Sequence, residues 1–271
     1  MGKRLKRILV YRATVSFIRI INLLPRRLVL FFGEMFGLFA GTCLCRESCK
    51  ALVNLNRAFG KTLSYRQKKR IIRHSWITFG RSFIEMMRLR KYFYSQIADD
   101  IEVVGEEHFR KAYDRGRGVV VFSGHIGNFE LLPAWVAQSG YKTTVIGREL
   151  FDKRLDHLMV SNREALGIIN IRSDDSPRTA LRYLKDGYGV GILIDTDSFR
   201  VAGELTPFFG RPAKTPTGPA QLGLLAGAAF LPMFCLSFPG GKYKIIIGPE
   251  LIPESTDRSR ESVYQLTCRM T

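Results

Sequence analysis

Acidic residues are scarce in this chain, and their placement is uneven. Against 42 Lys and Arg stand 24 Asp and Glu in 271 residues, a formal net charge of +18 at pH 7. Residues 1–30 carry eight Lys or Arg and no acid, and residues 61–91 carry ten against the single Glu85. Such an excess implies an anionic partner: nucleic acid, an anionic membrane, a phosphorylated lipid or an acidic carrier protein. Zinc-finger spacing and RNA-binding signatures are both absent, which removes the common nucleic-acid modules. Basic residues interleaved with apolar runs suit a membrane surface instead.

Cysteine is also sparse. Cys43, Cys45, Cys49, Cys235 and Cys268 make an odd number without framework spacing, so a disulfide scaffold is excluded. The first three cluster, but neither a His nor a fourth Cys lies near them in sequence to complete a tetrahedral metal site. They read as small apolar residues, reduced because they face the cytosol, at a membrane-proximal helix end. The N-terminus lacks the clean hydrophobic core and small-residue cleavage site of a signal peptide, since Arg12 and Arg19 interrupt it. There is no internal repeat, low-complexity tract or long linker. The length suits one large α/β domain or two small ones.

Residues 28–45 form the longest apolar run, eighteen residues with only Glu34 charged, after a break at Pro25. That is the lower edge of a spanning length, and a central acid costs about 3 kcal/mol of insertion. An interfacial helix, a re-entrant pair and a true span all remain open; each is an anchor held on the cytoplasmic side by basic flanks. A short helix over 46–60 closes at Gly60. Ser64 and Gln67 form a capping box before Ile71, Ile72, Trp76, Phe79, Phe83, Met86 and Met87 at helical spacing. His74 and His108 read as structural. The expected division is an anchoring segment over 1–60 and an α/β domain over 61–271.

From 101 to 195 strand and helix patterns alternate. Strands are expected over 101–104, 119–122, 141–146, 168–171 and 190–194, with helices over 106–113, 152–166 and 177–185 between them. Three more strand candidates follow at 205–209, 229–234 and 243–247. This alternation implies an α/β fold with a mixed, largely parallel sheet flanked by helices.

The informative stretch is GRGVVVFSGHIGNFELLP, residues 116–133. A buried strand ends at Ser123-Gly124, His125 follows at once, and a helical pattern starts after Gly127 and Asn128. That places His125 at the carboxyl end of a sheet, where open α/β folds hold their ligands. His125 and Glu130 would diverge on a continuous helix, but a turn followed by a helix start can bring them together. A carboxylate beside an imidazole fixes its tautomer and equips it as a general base. Free amides at the helix start would then be placed to hold an oxyanion. On spacing alone a second reading stands beside this one: a surface His, and a Glu that favours the helix dipole.

SGHIGNFEL resembles the H-x4-[D/E] motif of the glycerolipid acyltransferase superfamily, and in particular its lipid A biosynthesis (lauroyl and myristoyl) acyltransferases. The likeness runs from about residue 15 to residue 254. SNREALG around Arg163 is similar to an Arg-containing helix of that family. IDTDS, with Asp195 and Asp197, resembles its Asp-x-Asp block, and TPFFGRPAKTPTGPAQLGLLAGA (206–228) its next block. Gly147-Arg148-Glu149 matches a Tyr-Arg-Pro turn only in part. A Trp-rich C-terminal helix usual in those enzymes is not found before Thr271. The resemblance implies a membrane-associated acyltransferase that moves a fatty acyl chain from an acyl carrier protein or acyl-CoA thioester to a hydroxyl of a lipid A precursor. Another glycolipid or a lysophospholipid is an alternative acceptor, and an inactive membrane-binding relative or a hydrolase an alternative role. His125 and Glu130 become the catalytic candidates, with Glu130 orienting His125. Asn128, Arg148, Arg163 and Asp195 become substrate-binding candidates, Arg163 and Asp195 alternatively forming one internal ion pair. Neither metal nor cofactor is implied, and the expected place is the inner (cytoplasmic) membrane with the catalytic domain facing the cytoplasm. Arg211 and Lys214 sit where a phosphate or a carrier's prosthetic group could be met, a role the sequence leaves open.

Overall fold

A computed structural model describes residues 3–150, 152–173, 177–196 and 202–271, apart from the side chains of 3, 4, 6, 7 and 94. The chain forms two compact units: Met1–Asp100 with Ser237–Lys242, and Ile101–Leu236 with Tyr243–Thr271. The boundary therefore falls at Asp100, forty residues beyond the one expected from composition.

The first unit is helical: α1 (Lys3–Ile21), α2 (Arg26–Cys43), α3 (Cys45–Phe59), α4 (Tyr65–Met86) and the single turn α5 (Leu89–Tyr92). Pro25, with φ of −58°, starts α2 without needing a donor. The expected capping box opens α4, and Gly60 ends α3 with a φ of 51°. α2 and α4 pack backbone against backbone because Gly33 and Gly37 of α2 face Gly80 of α4. A Cβ at Gly37 would overlap the Trp76 carbonyl, and one at Gly80 the Gly33 carbonyl. Small residues spaced four apart permit this approach.

Several basic residues are consumed inside this unit. Arg26 donates from Nε to Glu85 at 2.7 Å, pairs with Asp100, and reaches the Gly241 carbonyl at 2.6 Å. Lys68 is buried on Asn56 and the Gly60 carbonyl at 2.8 and 2.6 Å. Arg81 binds Glu34, and buried Arg88 donates to the Leu24 carbonyl. Burial pushes the Glu85 carboxyl up, with Arg26 opposing.

Among the described residues no single helix is long and apolar enough to cross a membrane. α2 and α3 pass that test only as a pair, and they bend by 85° at Leu44. Of the three anchors left open by the sequence, a single spanning helix is thereby removed, because α2 stops at Cys43. α2 nevertheless exposes Phe31, Phe32, Met35, Phe36 and Phe39 on one side.

The second unit is built on a seven-stranded sheet: β1 (Ile101–Val104), β2 (Val119–Ser123), β3 (Thr143–Gly147), β4 (Ile168–Arg172), β5 (Gly189–Leu193), β8 (Ala229–Ser237) and β9 (Tyr243–Ile247). Its order is β1-β9-β8-β2-β5-β3-β4, mostly parallel. The strands are bridged by α6 (Glu106–Tyr113), α7 (Leu131–Gln138), α8 (Lys153–Glu164), α9 (Pro177–Lys185) and α10 (Gly218–Ala226). β6 (Gly203–Phe208) and β7 (Arg211–Pro216) make a separate antiparallel hairpin. Central β2 is buried at all five positions, as its unbroken apolar run requires. Val120, Val190, Ala220, Leu224 and Phe230 form the core between the sheet and α10, joined by α11 (Arg260–Met270). Sequence reading missed β7 and α11. The signal for α11 was present in Val263, Leu266, Thr267 and Met270, all buried at helical spacing behind the Ser259 cap. Thr217 stands at the start of α10 but is buried, and its side chain makes no cap.

Candidate active site

Register brings the site together. β2 and β5 are adjacent and parallel, paired from Val119↔Gly189 to Ser123↔Leu193. The Ile194 amide donates to the Ser123 carbonyl at 2.9 Å, which carries both chains onward in step. Two residues beyond the last pair, His125 leaves β2 and Asp195 leaves β5 side by side. His125 Nδ1 lies 2.7 Å from Asp195 Oδ1, and the His125 backbone N–H donates to Oδ2, also at 2.7 Å. Gly124 makes room for this carboxylate: a Cβ there would stand 3.0 Å from Oδ2. The Phe129 ring lies against the imidazole, centroids 5.0 Å apart.

The electrostatics follow from that contact. The hydrogen bond to Asp195 holds the His125 imidazole above its ordinary value; partial burial opposes, while the Asp195 and Glu130 charges reinforce the shift. Burial acts to raise Asp195, but the hydrogen bonds from the His125 side chain and backbone outweigh it and hold the carboxyl below its usual range. With Nδ1 committed to Asp195, Nε2 of the half-exposed ring is the nitrogen left for a proton transfer.

Glu130 is placed differently from the orienting role expected of it. It occupies the residue before α7, buried, with both oxygens on Arg163: Nε to Oε2 at 3.0 Å and Nη2 to Oε1 at 2.5 Å. Arg163 Nη1 also binds Asn170 Oδ1. Gly147 lines this fork, since a Cβ would stand 3.0 Å from Nη1 and 3.1 Å from the Asn170 oxygen. Glu130 was expected beside His125, and an Arg163–Asp195 pair was one of two readings for those residues; in the structure Glu130 takes Arg163 and Asp195 takes His125. Asn170 was not foreseen, and Gly147 only as part of the turn at Arg148.

Asn128 is buried, and its Nδ2 has no partner among the described residues. Arg148 is exposed just past β3, two strands away from β2 in the sheet. The Leu131 and Leu132 amides donate back to the Asn128 and Phe129 carbonyls, so these two helix-start donors are already engaged. Asp197 lies outside the described residues. Ser123 is buried beneath the turn. A cavity of about 70 Å³ lies between α7 and the strand ends, lined by Val121, Phe129, Leu132, Val136, Val145 and Leu193, and bordered by Glu130 and Arg163. Among the described residues no group of three or more His, Cys, Asp or Glu side chains is arranged to hold a metal ion.

An imidazole fixed by a carboxylate, at the carboxyl ends of two adjacent parallel strands, is the arrangement of a general-base site in an α/β fold. The chain belongs to the bacterial lipid A biosynthesis acyltransferase family, which it matches over residues 2–271. It is similar to the phosphatidylinositol mannoside acyltransferase of Mycolicibacterium smegmatis, 28% identical over 191 residues that cover 69% of this chain and 62% of that protein. Two Mycobacterium tuberculosis proteins of the same name, from strains CDC 1551 / Oshkosh and H37Rv, are each 28% identical over 186 residues, 66% of this chain and 58% of theirs. The chain spans about three fifths of the length of these curated relatives.

Proposed function

We propose that this protein transfers a fatty acyl chain from a thioester donor to a hydroxyl of a phosphorylated glycolipid at the cytoplasmic face of the inner membrane. The observation that carries this reading is the two-point hold of Asp195 on His125. His125 Nε2 takes the acceptor hydroxyl proton as the oxygen attacks the thioester carbonyl. A C–O bond forms, the C–S bond breaks, and the imidazolium returns the proton to the departing thiolate. Asp195 keeps Nδ1 protonated and stabilises the imidazolium, so it is assigned to the catalytic machinery and not to substrate. Glu130 and Arg163 are positioning residues that brace the turn from behind, and the apolar cavity beside Phe129 suits hydrocarbon.

Family membership favours a lipid A precursor as acceptor, and the mycobacterial relatives favour an inositol mannoside lipid; both are phosphorylated glycolipids with free hydroxyls. The test incubates purified protein in detergent with acyl carrier protein and CoA thioesters against each acceptor and a lysophospholipid. Acylated glycolipid is expected from at least one donor, and His125→Ala should lose about 10²–10⁴-fold in rate. Release of free fatty acid alone would make the protein a hydrolase, and full activity of His125→Ala would remove the general base.

A further inference from the structure

The β6–β7 hairpin has a tip that turn geometry does not explain. Its register closes at Phe208↔Arg211, leaving Phe209 and Gly210 as a two-residue turn with φ of 49° and 70°. Such a turn favours Asn-Gly, because both residues need positive φ. Phe209 is the one non-glycine with positive φ among the described residues, and a bulky aromatic is poorly suited to it. Backbone strain of this kind persists where the side chain is wanted for something else. Phe208 and Phe209 are 45% and 53% exposed, edge to face with centroids 4.8 Å apart, and Leu205 behind them is 62% exposed.

The hairpin's base, by contrast, is fixed. Thr206 and Thr215 are buried and joined through their hydroxyls at 2.6 Å, and Arg260 of α11 binds Glu204. A buried base with an exposed apolar apex suits entry into an apolar phase. Prolines indicate what. In a two-residue hairpin the pair next to the turn exchanges both hydrogen bonds, and the following pair points its amides outward. That outward pair is Pro207↔Pro212, which has no N–H to leave unsatisfied in hydrocarbon. Exposed Arg211 follows the apex, and Lys214 stands opposite Leu205, where lipid phosphates would meet them.

We propose that the β6–β7 tip is a lipid-inserting wedge that seats the α/β unit on an anionic membrane surface. This is independent of the acyl-transfer reading, since its test measures binding and no turnover. Hydrogen exchange is followed on the full chain, alone, with vesicles of phosphatidylglycerol and phosphatidylcholine, and with phosphatidylcholine vesicles. Amides of residues 208–211 should slow by about tenfold or more with the mixed vesicles, as expected for burying an aromatic side chain, and less with phosphatidylcholine. In Phe208→Thr/Phe209→Asn the protection should vanish, while thermal unfolding is unchanged or raised because Asn-Gly suits the turn. Tip amides that exchange at the same rate when vesicle binding protects other segments would overturn the proposal. So would protection without lipid that grows with protein concentration, which marks a second copy as the occupant, or protection by an acidic carrier protein alone.

Discussion

Asp195→Asn tests the site most sharply, because an amide keeps the shape of the carboxylate and changes only what it can offer. In the native site one carboxylate oxygen accepts from the His125 backbone and the other from Nδ1. An Asn can satisfy the backbone amide with its oxygen, but then its NH₂ faces Nδ1. The imidazole must turn that nitrogen into an acceptor and carry its proton on Nε2, the wrong tautomer for a base. Loss of the orienting carboxylate should therefore cost about as much as loss of the base, roughly 10²–10⁴-fold in kcat/KM, or about 3–5 kcal/mol. A pH signature separates this from general damage. The base works neutral, so activity rises as pH rises through the His125 pKa. Asp195 holds that pKa above its ordinary value, so the acidic limb of the profile should move to lower pH in the variant. Stability carries its own sign. A raised His contributes below its unfolded value, about 6.5, and loses that contribution as pH rises through the folded value. A lowered Asp contributes above its unfolded value, about 4, and loses it as pH falls through the folded one. The drop in Tm of Asp195→Asn should thus be largest between about pH 4 and 6.5 and shrink toward pH 9. The assay is acyl transfer from a labelled thioester across pH 5–9, with parallel thermal melts. A variant within threefold of the parent, with an unmoved acidic limb, would refute the role given to Asp195.

Glu130→Ala should destabilise the protein by about 3–5 kcal/mol, because it leaves the Arg163 guanidinium buried against Asn170 without its carboxylate. Combining Glu130→Leu with Arg163→Met should recover most of that loss; thermal denaturation of the full mutant cycle checks it, and a coupling below about 0.5 kcal/mol would show the pair to be incidental. In the helical unit Gly37→Ala drives a methyl into the Trp76 carbonyl, whereas the Gly41 methyl meets only the Trp76 side chain. Gly37→Ala should cost about 3 kcal/mol and Gly41→Ala clearly less, read as faster hydrogen exchange in α2 and α4.

The sequence showed which segments matter and missed who partners whom. An apolar run ending in Ser-Gly-His, and another ending in Ile-Asp, are each legible as a strand that delivers a polar residue to the carboxyl end of the sheet. That β2 and β5 are neighbours, in register, is a property of strand order, which local pattern does not encode. Glu130 lies five residues from His125 and was the natural partner by proximity. At the N-cap of α7, however, its side chain turns into the protein toward α8, and the nearer carboxylate comes from seventy residues away. The helical boundary was missed for a similar reason. The amphipathic pattern of α4 reads equally well as part of either unit, and its contacts with α2, the glycine approach and the Arg26–Glu85 and Arg81–Glu34 pairs, assign it to the first.

The boundary at Asp100 also changes what the charge means. Up to residue 100 the chain has 21 basic and 5 acidic residues, so +16 of the +18 belongs to the helical segment, while residues 101–271 hold 21 basic and 19 acidic. Internal pairing does not dilute this, because Arg26 and Arg81 bind Glu85, Asp100 and Glu34 and take scarce acids out of circulation. His125 itself lies in the nearly balanced part of the chain. If the chain meets an anionic surface, the helical segment carries nearly all the charge that would attract it, and salt should weaken that attraction. The α/β unit has little long-range charge to hold it at a surface. If it works on a membrane-embedded acceptor, its own contribution to attachment is short-range, and the exposed aromatic pair on the β6–β7 tip, with Arg211 beside it, supplies a contact of that kind.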